Sequence, residues 1–156
     1  MTLWILSGVP GSGKSYWAKH TKVPSCEFPV YVSRDEIRFS LLKEGEDYFS
    51  HEEEVTKLFW KNIQDGLDNP NVTDVIADAT HINEKSRMKL LNHLTIPDGC
   101  RVNVVQFDTP LEECFERNAH REGRALVPKG IIRRMFFSRT DPEEDNFKYN
   151  QIFKVW

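Results

Sequence analysis

Gly8-Val9-Pro10-Gly11-Ser12-Gly13-Lys14-Ser15 fits G-x-x-x-x-G-K-[ST] at every position. The flanks fit as well. Leu3-Trp4-Ile5-Leu6 is a short apolar run ending at Ser7-Gly8 and reads as a buried strand. A helix is expected from near Gly13 to about His20, with Pro24 beyond it. Gly8, Gly11 and Gly13 let the backbone curl so that successive N–H groups, that of Ser12 included, point at phosphate oxygens. The helix N-terminus adds partial positive charge. In such a loop Lys14 bridges the β- and γ-phosphates and the Ser15 hydroxyl is a ligand for Mg²⁺.

Strand-like and helix-like stretches alternate through the rest of the chain. Val30–Val32, Val72–Ala77, Val102–Phe107 and Ile152–Val155 read as further strands. Ser33-x-x-Glu36 reads as a capping box opening a helix to about Lys43. Ser50-x-x-Glu53 opens a longer one to about Asp68, with Val55, Leu58, Phe59 and Ile63 on one face. Asn83 caps a helix to about Leu94, with Met88 and Leu91 facing inward. Thr109-Pro110-x-Glu112 opens one running toward Arg121, and another covers about Lys129 to Arg139. This alternation predicts an α/β, three-layer fold with a parallel sheet of about five strands. The whole chain, 1–156, reads as one domain with a helical, arginine-rich lid at about 117–139, and Asp141 to Asp145 read as a solvated acidic loop.

Hydrophobic residues make up 39% of the 156 and charged residues 29%, which is a folded rather than a disordered composition. A net charge of −3 excludes a uniformly basic nucleic-acid binder but not a local basic site. Cys26, Cys100 and Cys114 are odd in number and without Cys-x-x-Cys spacing, so neither a disulfide framework nor a zinc site is expected. No stretch resembles a signal peptide or reaches the roughly 18 apolar residues of a membrane span. The expectation is a cytoplasmic protein without a membrane partner; homo-oligomerisation is left open.

The phosphate loop alone fits GTPases, motor ATPases and small kinases. No Asn-Lys-x-Asp element reads guanine, and no Asp-x-x-Gly switch follows the third strand. A phosphotransferase fits better. Ligands of parallel sheets bind at the carboxyl ends of strands, which is where Asp35, Arg38 and Asp78 fall. Asp35 is suited to orient an acceptor hydroxyl and take its proton; Arg38, three residues on, to hold an acceptor phosphate or to pair with Asp35. Asp78 is suited to hold Mg²⁺ through water or to contact the acceptor. His81 reads as a surface residue. Residues 116 to 139 carry seven basic side chains against Glu116 and Glu122, a local charge of +5. Arg117 and Arg121 are four apart and expected on one helix face, where they could close over a triphosphate. Of Trp17, Phe39, Tyr48, Phe59 and Trp60, most are expected in the core, with one or two free to stack on a base.

Taken in order, the phosphate loop, Ser33-Arg34-Asp35-Glu36-Ile37-Arg38, Asp78-Ala79-Thr80-His81-Ile82-Asn83, Phe107-Asp108-x-Pro110, Arg117-Asn118-x-x-Arg121, Val127-Pro128 and Arg134-Met135 resemble the kinase domain of phage-type polynucleotide 5′-kinases, within the wider group of small P-loop kinases. The resemblance spans about residues 1 to 140. It implies transfer of the γ-phosphate of ATP, with Mg²⁺, to the 5′-hydroxyl end of DNA or RNA. It implies Asp35 as general base, Arg38 on the terminal nucleotide's phosphate, Asp78 as a functional acid, Arg117 and Arg121 as lid arginines with Arg121 at the transferred phosphate, and Val127 and Pro128 near the acceptor pocket. The well-known member of the family continues into a phosphatase domain that this chain does not show, so a separate phosphatase or ligase is the expected companion. The stretch between Arg121 and Val127 is slightly longer than the family's, which leaves the role of Arg124 open. Two other readings remain at this point: a kinase of a small metabolite or nucleoside, and an ATP-binding regulator with no organic acceptor.

Overall fold

The computed structural model describes residues 1–20 and 27–156; Pro24 and Cys26 lie outside the described residues. Five strands, β1 (Thr2–Ser7), β2 (Pro29–Ser33), β3 (Asp74–Asp78), β4 (Arg101–Phe107) and β5 (Gln151–Val155), form one sheet of order β2-β3-β1-β4-β5 in which every pair is parallel. β1 and β3 are buried along their whole length, as their unbroken apolar character requires. The helices are α1 (Lys14–His20), α2 (Arg34–Leu41), α3 (Glu52–Asp68), α4 (Glu84–Asn92), α5 (Leu111–Ala119) and α6 (Lys129–Phe137).

Alternation along the strands divides the core. Leu3, Ile5, Val75, Ala77, Val102 and Val104 face Phe59, Ile63 and Leu67 of α3 and Leu90 and Leu91 of α4. Trp4, Leu6, Ile76, Val105 and Phe107 face the other side, where Trp17 of α1 packs. A third cluster joins the phosphate loop to the lid: Val9, Cys114 and Phe115 of α5, and Ile132 of α6. The chain therefore has the predicted three-layer α/β fold. Parallel register brings the ends of β1, β2 and β3 level, with Ser33 opposite Asp78. Everything that follows those strands gathers along one edge.

Several local readings are corrected. Ser50 does not cap α3; His51 occupies that position without a side-chain cap, and the Ser50 N–H closes a turn onto the Asp47 carbonyl. Leu58 is only half-buried. Thr109 does not cap α5: its hydroxyl donates to the Ser12 carbonyl at 2.8 Å, and a tertiary bond replaces the local one. α5 ends at Ala119, so Arg121 lies past the helix rather than on a face shared with Arg117. Asp141 to Asp145 are not a solvated loop. They form a short 3₁₀ turn that ends in a buried ion pair, Asp145 with Arg87 of α4.

Arg87 is fully buried. It meets both Asp145 carboxylate oxygens at 2.7 and 2.8 Å, donates to the His81 carbonyl at 2.9 Å, and reaches the Thr140 carbonyl and hydroxyl at 3.1 and 3.0 Å. The Tyr149 hydroxyl donates to the same carboxylate. The pair pins the segment after α6 to the segment after β3. Removing one partner strands a buried charge. Arg87→Met is expected to lower the unfolding free energy by about 3–5 kcal/mol, while Arg87→Met combined with Asp145→Leu recovers most of it; urea unfolding of the three proteins checks both.

Candidate active site

The phosphate loop leaves β1 at Ser7 and enters α1 at Lys14. Its shape needs glycine at two points. Gly11 has φ of +83°, and a Cβ there would collide with the Cys114 carbonyl oxygen of α5. Gly13 has φ of +101°, and its Cβ would lie 3.0 Å from Arg117 Nη1. The lid arginine Arg117 thus rests against the loop, steadied by Glu113 at 2.7 Å. Gly8 leads into the loop beneath Ser12, whose hydroxyl is buried and lacks a protein partner. Lys14 folds back over the loop, its Nζ 3.1 Å from the Val9 carbonyl.

Four charges converge on this loop. Burial of the ammonium end pulls the Lys14 pKa below the ordinary lysine value; Asp78 and Asp35 oppose that shift and Arg121 adds to it. Arg121, although off the helix, is therefore close enough to Lys14 for their charges to be felt. A negatively charged ligand relieves this strain, because it offers two cations a shared counter-charge.

Ser15 donates its hydroxyl hydrogen to Asp78 Oδ2 at 2.8 Å, and the Tyr31 hydroxyl donates to the same oxygen. The Tyr31 phenol is pushed well above its usual pKa by burial and by that carboxylate. Ser15 Oγ and Asp78 are hard oxygen donors beside a phosphate loop, the donor chemistry of Mg²⁺. Among the described residues no cluster of three or more His, Cys, Asp or Glu forms a separate metal site.

Asp35 and Arg38 sit on the first turns of α2, which Ser33 caps through the Glu36 N–H. Arg38 pairs with Asp35, as their spacing predicts, but it is buried and its other bonds are extensive. Nε and Nη2 grip Glu52 of α3 at 3.1 and 2.5 Å, and Nη1 reaches the Tyr48 hydroxyl at 2.6 Å. Four of its five N–H groups are engaged. Arg34 adds a second cation to Glu52 at 2.8 Å. Burial disfavours the Glu52 charge, yet the two arginines hold its pKa below the ordinary glutamate value. The Tyr48 hydroxyl donates to Asp35 Oδ1 at 3.0 Å, and Asp35 keeps 54% of its side chain exposed.

The lid loop is closed by Asn118, which accepts from the Val127 N–H at 3.0 Å and donates to the Val127 carbonyl at 2.7 Å. Val127 packs partly into the Val9–Cys114 cluster, and Pro128 starts α6 at the surface. Arg124 crosses to the turn after α2, donating to the Lys43 and Glu46 carbonyls at 3.2 and 2.9 Å.

Glu52, Tyr31 and Asn118 escaped the sequence reading as site residues, and Tyr48 entered it only among the aromatics expected to pack or to stack on a base. Asn118 lay inside a quoted motif, and Tyr31 shares a sheet face with Asp78 once β2 is paired with β3. Glu52 was masked by the pattern that favoured Glu53.

A family model described as AAA domain matches residues 3–142. The chain belongs to that family. Its P-loop kinase fold recurs in solved structures. A chain of the Pnkp1/Rnl/Hen1 RNA repair complex matches at 29% identity and a TM-score of 0.70, over 87% of this chain and 43% of its own length. A fungal RNA kinase matches at 11% identity and 0.60, over 99% and 74%. A gluconokinase from Sinorhizobium meliloti 1021 matches at 18% and 0.56, over 99% and 81%. The last two likenesses are of fold alone. This chain spans less than half the length of the RNA repair chain it matches. No helix among the described residues is long and apolar enough to cross a membrane.

His81 is buried rather than at the surface. It adopts a φ of +38°, and its Nδ1 lies 2.9 Å from the Leu6 carbonyl. Its own carbonyl accepts from Ser7 Oγ at 2.7 Å and so ties the segment after β3 to the start of the phosphate loop. Burial lowers its pKa from 6.5 to about 4. Between those values the unfolded chain takes up a proton that the folded chain refuses. Stability is therefore full above pH 6.5 and falls as pH drops toward 4, by about 3 kcal/mol from this group. In urea unfolding across that interval, His81→Asn, which tolerates positive φ, is expected to show a shallower loss than the wild type.

Proposed function

We propose that this protein transfers the γ-phosphate of ATP to the 5′-hydroxyl end of a nucleic acid strand. One observation carries the reading: a half-exposed carboxylate, Asp35, oriented by Arg38 and Tyr48, within the field of the phosphate-loop lysine. A phosphate loop alone suits any nucleotide hydrolase. A positioned, accessible carboxylate beside it is what an alcohol acceptor needs. The RNA repair complex matched at 29% identity and the sequence motifs favour a polynucleotide end as that alcohol.

The roles follow from position. Lys14 and the loop N–H groups hold the phosphates, with Ser12 offering its unpartnered hydroxyl. Arg117 and Arg121 close over the γ-phosphate and offset charge that builds on its equatorial oxygens. Asp35 hydrogen-bonds the 5′-hydroxyl and takes its proton as the oxygen–phosphorus bond forms and the bond to ADP breaks. Ser15 and Asp78 would hold Mg²⁺, which would neutralise charge on the bound phosphates. Arg38 is chiefly a positioning residue: with four N–H groups committed to Glu52, Asp35 and Tyr48, one is left for an acceptor phosphate. By the resemblance, Val127 and Pro128 would lie near the acceptor on the lid side. The 5′-phosphate product is the end a ligase consumes.

Incubation with Mg²⁺, γ-labelled ATP and 5′-hydroxyl DNA and RNA oligonucleotides is expected to label the oligonucleotides, and Lys14→Ala to abolish that label. Asp35→Asn is expected to lower kcat by roughly 10²–10⁴ with little change in ATP affinity. Labelling of a polyhydroxy acid or a nucleoside but of no oligonucleotide would replace the acceptor; normal turnover in Asp35→Asn would remove it from the mechanism.

A further inference from the structure

Three aromatic rings meet beside the acceptor carboxylate. Phe39 follows Arg38 on α2, and Tyr48 and Phe49 lie in the turn between α2 and α3. The Tyr48 and Phe49 ring centroids are 4.8 Å apart at 83°, and those of Phe39 and Tyr48 are 6.2 Å apart at 70°. Tyr48 is already employed: its hydroxyl bonds Asp35, and the Arg38 guanidinium lies 4.2 Å from its ring centroid. Phe49 has no such task. It is 64% exposed, and Phe39 is 38% exposed.

An apolar ring left in water at this place is held there by its backbone. The Phe49 N–H donates to Asp47 Oδ1 at 2.9 Å, and the Ser50 N–H donates to the Asp47 carbonyl at 3.2 Å. His51 Nε2 lies 2.8 Å from Glu46 Oε2. From the opposite side, Arg124 of the lid grips the Lys43 and Glu46 carbonyls. The turn is braced at both ends, so a ligand that covers Phe49 has little backbone left to order, and phenylalanine itself has only two side-chain torsions to fix.

We infer that Phe49, which like Phe39 packs on the Tyr48 ring, is a stacking platform for the bases at the 5′ end of the acceptor strand. The inference rests on the nucleic-acid reading given above. A strand whose 5′-hydroxyl bonds Asp35 has its first bases within a ring or two of that carboxylate, which is the distance spanned by Tyr48 and Phe49. A small metabolite held at Asp35 would have nothing left over to cover these rings. Stacking on a phenylalanine face does not read hydrogen-bonding edges, so the platform is tolerant of base identity. It also gives the acceptor a foothold that Arg38, with its single uncommitted N–H, does not provide.

The test compares kcat/KM for 5′-hydroxyl oligonucleotides that carry bases at the first two positions with the same oligonucleotides abasic there. The wild type is expected to favour the base-bearing end by about tenfold, the scale of one aromatic–base stack. Phe49→Ala is expected to bring that ratio close to one, mainly through KM, and Phe49→Tyr to keep it. In Phe49→Trp, base-bearing oligonucleotides should quench fluorescence beyond the wild-type change, and abasic ones should not. An equal ratio in wild type and Phe49→Ala, or equal losses in the Ala and Tyr variants, overturns the platform while leaving the kinase reading intact. A wild-type protein that labels no oligonucleotide of either kind overturns the kinase reading itself.

Discussion

The loop between β1 and α1 passes so close to α5 that the Gly11 position has no room for a side chain: the Cys114 carbonyl fills the space a Cβ would take. Much of the site depends on this approach. It requires β1 at the centre of the sheet, beside β4, because α5 follows β4. It buries Val9 against Cys114, Phe115 and Ile132, so the phosphate loop and the lid share one small core. The Thr109 hydroxyl, one residue before the helix-starting proline, ties down Ser12 from the same side. Arg117, three residues beyond Cys114 on α5, is then delivered over Gly13. Lid and loop are thus one packed unit, with Arg117 already resting against the loop.

Charge is arranged on the same economy. The chain is net negative, yet Lys14, Arg117 and Arg121 gather at the loop and Asp78 and Asp35 stand opposite. Without a phosphate these carboxylates partly satisfy the lysine. Arg38 is treated differently: Glu52 takes it in a two-point grip, which leaves its remaining nitrogen to orient Asp35. A buried guanidinium matched to one carboxylate is a rigid support for another, since its planar fork fixes both directions at once. Arg87 and Asp145 repeat the device on the far side of the lid, where they fix Thr140 to the segment after β3.

The strand–loop–helix and the alternation that follows it were legible because parallel strands buried on both faces write themselves as apolar runs. Asp35 and Asp78 were legible because strand ends in such a sheet face one edge. What failed were local patterns displaced by other bonds, some local and some distant. Ser50 and Thr109 stand where caps belong, but one closes a turn on Asp47 and the other holds Ser12, 97 residues away. Asp145 looked solvated in its acidic run because its partner, Arg87, lies 58 residues earlier. Arg121 has helical spacing from Arg117, but α5 stops at Ala119, and the chain turns back through Asn118 and Val127. For Thr109 and Asp145 the deciding atom belongs to another element, and spacing along the chain carries no record of it.

The acceptor is decided by different residues from those that decide the donor. A fungal RNA kinase and a gluconokinase share this fold to similar degrees, with TM-scores of 0.60 and 0.56, so the sheet and the phosphate loop do not choose between a strand end and a sugar acid. A phosphate loop serves a nucleoside triphosphate whatever the acceptor. On the proposed reading the selective surface lies beyond Asp35, where the rest of an acceptor would extend. Here that surface is the turn between α2 and α3, with a ring-bound arginine on its inner side and exposed phenylalanines on its outer side. A hydroxylated acid needs hydrogen-bonding groups at that place, whereas stacked bases need flat apolar ones. Three aromatic side chains, Phe39 at the end of α2 and Tyr48 and Phe49 in the turn, stand there among the polar Lys43, Glu46, Asp47 and Ser50, and of the three only Tyr48 carries a hydroxyl, already committed to Asp35 and Arg38.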